Sequence, residues 1–96
     1  MLDRPEPLKP HETKALVRSI IAAGTVHFSP HAAERIAERS LVGSDVLNVL
    51  RAGQQKGFEW KEGTCRYQIG TPHIVVVILF ESETELVVVT VWRIER

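Results

Sequence analysis

Apolar residues recur along this chain first with a helical period and then with an alternating one, and the change falls at Gly53. Leu16, Ile20 and Ile21 return at three- and four-residue intervals with Val17 alongside, while Glu12, Lys14 and Arg18 take the other side. Gly24 follows the last of them and supplies a stop, so a first helix is predicted over 11–23. Thr25–Phe28 reads as a short extended linker or edge strand. Ser29-Pro30 opens a second helix, because the serine accepts from the first free backbone N–H groups and proline suits the first helical position. Its expected apolar side is Ala33, Ile36 and Ala37, and it ends near Ser40. After a Leu41-Val42-Gly43 turn, Ser44-Asp45 caps a third helix that turns Val46, Leu47, Val49 and Leu50 inward and stops at Gly53.

Beyond Gly53 the period is two. Phe58–Lys61 and Thr64–Ile69 form a predicted hairpin about Glu62-Gly63, with Cys65, Tyr67 and Ile69 on one phase and Thr64, Arg66 and Gln68 on the other. Gly70-Thr71-Pro72 turns into two nearly continuous apolar runs, Ile74–Phe80 and Leu86–Ile94, joined by Glu81-Ser82-Glu83-Thr84. Runs apolar on both phases belong to central strands covered on both faces, or covered on one by a partner protein. Their tight spacing requires antiparallel neighbours. The fold class expected is therefore α+β, with two to three N-terminal helices on one face of a three- to four-stranded antiparallel sheet. Pro5, Pro7 and Pro10 lie among charges, so residues 1–10 read as a flexible lead to a single domain over 11–96.

Composition narrows the function classes. A chain of 96 residues and 10.8 kDa has a modest core, burying somewhat over ~60% of its unfolded surface. Twelve basic and twelve acidic residues cancel, so bulk charge does not hold a polyanion and any nucleic-acid contact needs a local cluster. The lone Cys65 excludes an internal disulfide and a multi-cysteine zinc site, and its apolar strand phase makes it buried and inert. The four histidines are scattered without close ligand spacing, so no metal and no cofactor is expected. Neither a signal-peptide core nor a run near ~20 apolar residues is present, which points to a soluble, cytoplasmic protein without membrane partners.

Candidate chemistry concentrates on the second helix. His31, Arg35 and Arg39 are four apart and form one polar row, with Glu38 placed to offset the repulsion between the two arginines. Two guanidinium forks at that spacing suit consecutive phosphates. His31 falls in the first turn, where the helix dipole disfavours a second positive charge, which suits a general base. Taken singly, each of these residues reads more readily as part of a solvated helix face, and His31 as an aid to the cap; the group is more suggestive than any member. On the sheet, Arg66 and Tyr67 are strand neighbours and point to opposite faces. Arg66 is the better phosphate ligand, and Tyr67 fits core packing with its hydroxyl at the rim. Trp92 reads as core, while Arg93 reaches toward an anion at the sheet's end.

The segment FSPHAAERIAERSLVGSDVLNVLRAG resembles a small bacterial family of domains of unknown function. Its members carry S-x-H-x-x-x-R-x-x-x-R and then D-V-x-x-V-L-x-x-G. The matching residues are Ser29, His31, Arg35, Arg39, Asp45, Val46, Val49, Leu50 and Gly53, and the likeness spans about 12–93. Ser40-Leu41-Val42 departs from the glycine-containing turn usual there, and the neutral charge departs from the basic character common among RNA-cutting toxins. Such domains look like toxins of type II toxin–antitoxin pairs with a RelE/MqsR-like, RelE/barnase-like fold. That resemblance implies a metal-independent endoribonuclease, or mRNA interferase, acting on RNA by 2′-OH attack and neutralised by a cognate antitoxin of the helix-turn-helix type. It would make His31 base or acid, Arg35 its catalytic companion, Tyr67 an alternative acid or base, and Arg39, Arg66 and Arg93 phosphate ligands. The competing expectation is a non-catalytic docking module or homodimer, pairing with another chain along an edge such as Leu86–Ile94.

Overall fold

The computed structural model describes residues 2–94. Three helices, α1 (Pro10–Ala23), α2 (Pro30–Glu38) and α3 (Gly43–Ala52), accompany five strands. These are β1 (Thr25–Phe28), β2 (Gln54–Lys61), β3 (Thr64–Gly70), β4 (Ile74–Ser82) and β5 (Glu85–Arg93), in the sheet order β1-β5-β4-β3-β2. The architecture is α+β, as the change of period implies. The sheet is mixed rather than wholly antiparallel, because the segment Thr25–Phe28 pairs parallel to Glu85–Val88. It also places β5 inside the sheet, with β1 along its first half, so Leu86–Ile94 is not a free edge.

α1 and α3 cover one face. The core between helices and sheet holds Leu16, Val17 and Ile20 of α1, Val46, Val49 and Leu50 of α3, and the alternate strand residues Cys65, Tyr67, Ile69, Val76, Ile78, Phe80, Leu86, Val88 and Val91. Each fully buried aliphatic side chain contributes about 1.5–3 kcal/mol of transfer free energy, which holds helices too short to persist alone. The N-termini of α1 and α3 are closed from inside the first turn: Glu12 accepts from the Lys9 N–H (3.0 Å) and Asp45 from the Val42 N–H (2.8 Å). Asp45 therefore caps α3 from its third position. The β2–β3 hairpin turns through Glu62 and Gly63, both in the left-handed region (φ 53° and 77°), as a two-residue turn matched to strand twist requires.

Residues 2–9, expected to be a loose lead, instead form a strap on the core. Leu2 and Leu8 are buried, Arg4 pairs with Glu83 at 3.2 Å and Glu12 at 3.8 Å, and Glu6 and Leu8 engage Tyr67. Two leucines spaced through the proline-rich stretch supply the apolar anchors that charge and proline content obscure. The expected inward face of α2 is also displaced. Ala32 is fully buried and Ile36 half-buried, while Ala33 and Ala37 are not among the buried residues. The reason is the helix's position: α2 runs along the edge of β5 beyond the end of β1, so only a narrow stripe meets the core. Ser29 makes that handover, its N–H donating to the Val88 carbonyl (3.0 Å) and its hydroxyl to the Val89 carbonyl (2.9 Å).

Candidate functional site

Among the described residues, no helix covers the second face of the sheet. Strand pleating sends Glu59 and Lys61 of β2, Arg66 and Gln68 of β3, Val77 of β4 and Trp92 of β5 to that side. The ladder aligns them: Glu59 lies opposite Arg66, Gln68 opposite Val77, and Val77 opposite Thr90. Val89 and Thr90 fall where the β4–β5 register slips by one residue, and such a bulge re-aims side chains. His31, in the first turn of α2, closes the far side. Together these side chains line a groove of about 210 Å³.

The electrostatics favour an anion. Lys61 and Arg66 make no ion pair within 4.0 Å among the described residues, even though Glu59 faces Arg66 across the ladder. The Arg66 Nε is buried without a hydrogen-bond partner, and a buried donor of that kind calls for an acceptor such as a phosphate oxygen. Trp92, half-buried on the uncovered face, presents a ring at the wall of the same groove. Two other clefts lack this combination. One of about 460 Å³ has Glu6 and Glu81 in its wall and no cationic side chain, and one of about 360 Å³ between Arg18 and Arg51 has no group that takes up and releases a proton near neutral pH.

Of the six site residues read from the sequence, the structure brings His31 and Arg66 together and leaves four elsewhere. Arg35 is ion-paired with Glu38, and Arg39 lies 3.9 Å from the same carboxylate. A single Glu38 carboxylate thus faces two guanidinium groups, and the row keeps a net positive charge below His31. Arg93 donates from Nε and Nη2 to the Arg39 carbonyl (3.2 and 3.0 Å), so it closes the C-terminus of α2, where a cation also meets the helix dipole favourably. Tyr67 lies on the helix-covered face, fully buried, with its hydroxyl accepting from the Leu8 N–H at 3.0 Å and donating to Glu6 at 2.7 Å. Burial pushes its phenol far above the ordinary value, so it stays a neutral clamp for the strap and is no acid or base for the groove. Burial likewise raises the Cys65 thiol, in keeping with an inert cysteine.

Glu59, Lys61, Gln68 and Thr90 are the polar groove residues that sequence reasoning missed, and Trp92 it placed in the core. The hairpin turn at Glu62-Gly63 carried the signal for two of them, since it fixes Glu59 opposite Arg66 and Lys61 opposite Thr64. The family model for a domain of unknown function, DUF4258, matches residues 28–93, from the end of β1 through β5. The chain belongs to the DUF4258 family. Its matched span includes every residue of the groove and leaves out the strap and α1. No curated protein and no solved structure matches the chain. Among the described residues, no helix is long and apolar enough to cross a membrane.

Proposed function

We propose that this DUF4258 domain binds single-stranded RNA along the uncovered sheet face and cleaves it by 2′-OH attack, as the toxin of a toxin–antitoxin pair. The observation that supports this reading is the single groove shared by His31, Lys61, Arg66 and Trp92. A phosphodiester passing through it meets two cations that have no carboxylate partner. An adjacent base meets an aromatic ring suited to stacking, which is tolerant of sequence because every base has a π-face.

The chemistry needs a proton carrier and charge stabilisation. His31 takes the proton from the ribose 2′-hydroxyl, whose oxygen attacks the neighbouring phosphorus. The new 2′-O–P bond closes a 2′,3′-cyclic phosphate as the P–O5′ bond breaks, and the imidazolium returns the proton to the departing 5′-oxygen. Arg66 and Lys61 neutralise the charge that builds on the equatorial oxygens, and a guanidinium fork suits two of them at once. Arg35, Arg39 and Arg93 lie outside the lining of the groove, so they are not assigned to its phosphate contacts.

The test is end-group analysis of an RNA oligonucleotide incubated with purified protein. Wild type yields 2′,3′-cyclic phosphate and 5′-hydroxyl ends, whereas His31→Ala and Arg66→Ala variants with native circular dichroism leave the RNA intact. Uncut RNA with the wild type, or equal cleavage by His31→Ala, refutes the nuclease reading. Growth arrest on expression, relieved by His31→Ala, tests the toxin role separately.

A further inference from the structure

We infer that β2 is an interface through which two copies of this chain join, edge to edge and antiparallel, about a two-fold axis at Trp60. The proposal does not rest on the RNA reading, but it shares Glu59 and Lys61 with the groove, so association gives Lys61 a carboxylate neighbour and leaves Arg66 as the unpaired cation there. Of the two sheet edges, β1 offers four residues and α2 continues its line along β5, whereas the eight residues of β2 end the sheet with no further strand among the described residues. Unpaired edges carry free backbone donors and acceptors that template another strand. This edge also carries two large exposed aromatics, Phe58 (47% exposed) and Trp60 (54%). They lie opposite Tyr67 and Cys65, hence on the helix-bearing side, yet α1 and the strap leave them open.

Symmetry and charge select the second copy as occupant and fix its register. A two-fold antiparallel pair sets the central residue opposite itself. The usable stretch is bounded by the register slip between Gln55 and Gly57 and by the turn at Glu62. Centring on Glu59 sets two carboxylates against each other. Centring on Phe58 sets Lys56 against Trp60 and runs the ladder into the irregular segment. Centring on Trp60 confines the ladder to Glu59–Lys61, with Phe58 reaching the turn at Glu62, and sets Glu59 against Lys61 twice, once on each side of a Trp60–Trp60 pair. Each Phe58 then becomes a diagonal neighbour of Trp60 in the other copy, within reach of an aromatic side chain. The net charge of zero adds no long-range repulsion to the approach. The product is one continuous sheet, five strands from each copy, with both His31–Arg66 grooves on the same face.

The experiment is sedimentation equilibrium of the full chain over a wide concentration range, with circular dichroism as the control for folding. Wild type shows a reversible monomer–dimer equilibrium, and Trp60→Glu is monomeric with a native spectrum. Glu59→Lys places like charges at both cross-strand pairs and raises the dissociation constant by about two- to thirtyfold. The swap Glu59→Lys/Lys61→Glu restores it. A wild type that stays monomeric throughout, or a dimer indifferent to Glu59→Lys, overturns the proposal. Failure of the swap to restore association overturns the Trp60-centred register and the interface with it.

Discussion

Replacing Tyr67 by phenylalanine separates a structural tyrosine from a catalytic one. The ring stays buried against Phe80, whose centroid is 5.3 Å away, so the change deletes little more than one hydroxyl. That hydroxyl accepts from the Leu8 N–H and donates to Glu6. Its loss leaves a buried backbone donor unpaired, at about 1–3 kcal/mol, while the Glu6 carboxylate loses one donor. For a domain of this size each kcal/mol lowers the melting temperature by about 4–8 °C, so a drop of roughly 5–20 °C is expected. A pH series sharpens the test. In the folded chain burial keeps the phenol neutral, whereas in the unfolded chain it ionises near its ordinary value of 10.0. The unfolded state then holds fewer protons than the folded one, so this contribution to stability is complete below that pH and is lost as pH rises above it. A phenylalanine at this position cannot ionise, so the wild type loses its advantage over Tyr67→Phe as the solution becomes alkaline. Urea unfolding of both proteins across the alkaline range reads this directly. Equal stability of the two proteins near neutral pH, or abolished RNA cleavage in a folded Tyr67→Phe, refutes the assignment of Tyr67 to the strap.

Further outcomes follow from the handover between β1 and α2. Ser29→Ala removes a hydroxyl that accepts from the Ala32 N–H at 3.0 Å and donates to the Val89 carbonyl at 2.9 Å. It lowers unfolding free energy by about 1–2 kcal/mol in urea titrations. Gly24→Ala sets a Cβ 2.2 Å from the Thr84 carbonyl oxygen, so β1 must shift from β5. A loss of about 1–3 kcal/mol, with faster hydrogen exchange at the Thr25 amide that bonds the same oxygen, is expected. Arg35→Ala leaves RNA cleavage close to wild type, since that side chain is not in the groove lining and turns toward Glu38; an assay of cleavage rate decides it.

Element types were legible wherever the apolar period was strong. Leu16-to-Ile21, Val46-to-Leu50 and the runs after Ile74 each fall in the element they announce. Four residues, Gln54–Gly57, extend β2 without any apolar alternation to mark them, because edge residues need no buried partner. The parallel pairing of β1 joins Thr25–Phe28 to residues sixty positions later, a distance that local pattern does not encode. The face of α2 was misjudged for a related reason: a helix at a sheet edge buries a stripe of Ala32 and Ile36, too narrow to impose a strong period. For the site, His31 and Arg66 were visible as residue types in a suggestive helix and on a polar strand phase. Their companions Lys61 and Trp92 became neighbours only through the strand order β5-β4-β3-β2. For Arg35 and Arg39, spacing shows which side chains share a face but not that both turn toward Glu38, outside the lining of the groove.

The most direct test of the groove as an RNA site is the salt dependence of oligonucleotide binding by wild type and Arg66→Ala, measured by fluorescence anisotropy under conditions that block cleavage. Each phosphate contact on a single strand contributes about 0.7 to the slope of log affinity against log salt. Arg66→Ala is expected to bind more weakly with a slope shallower by about that amount, and Arg35→Ala to keep the wild-type slope. Indistinguishable affinity and slope for wild type and Arg66→Ala contradict the account.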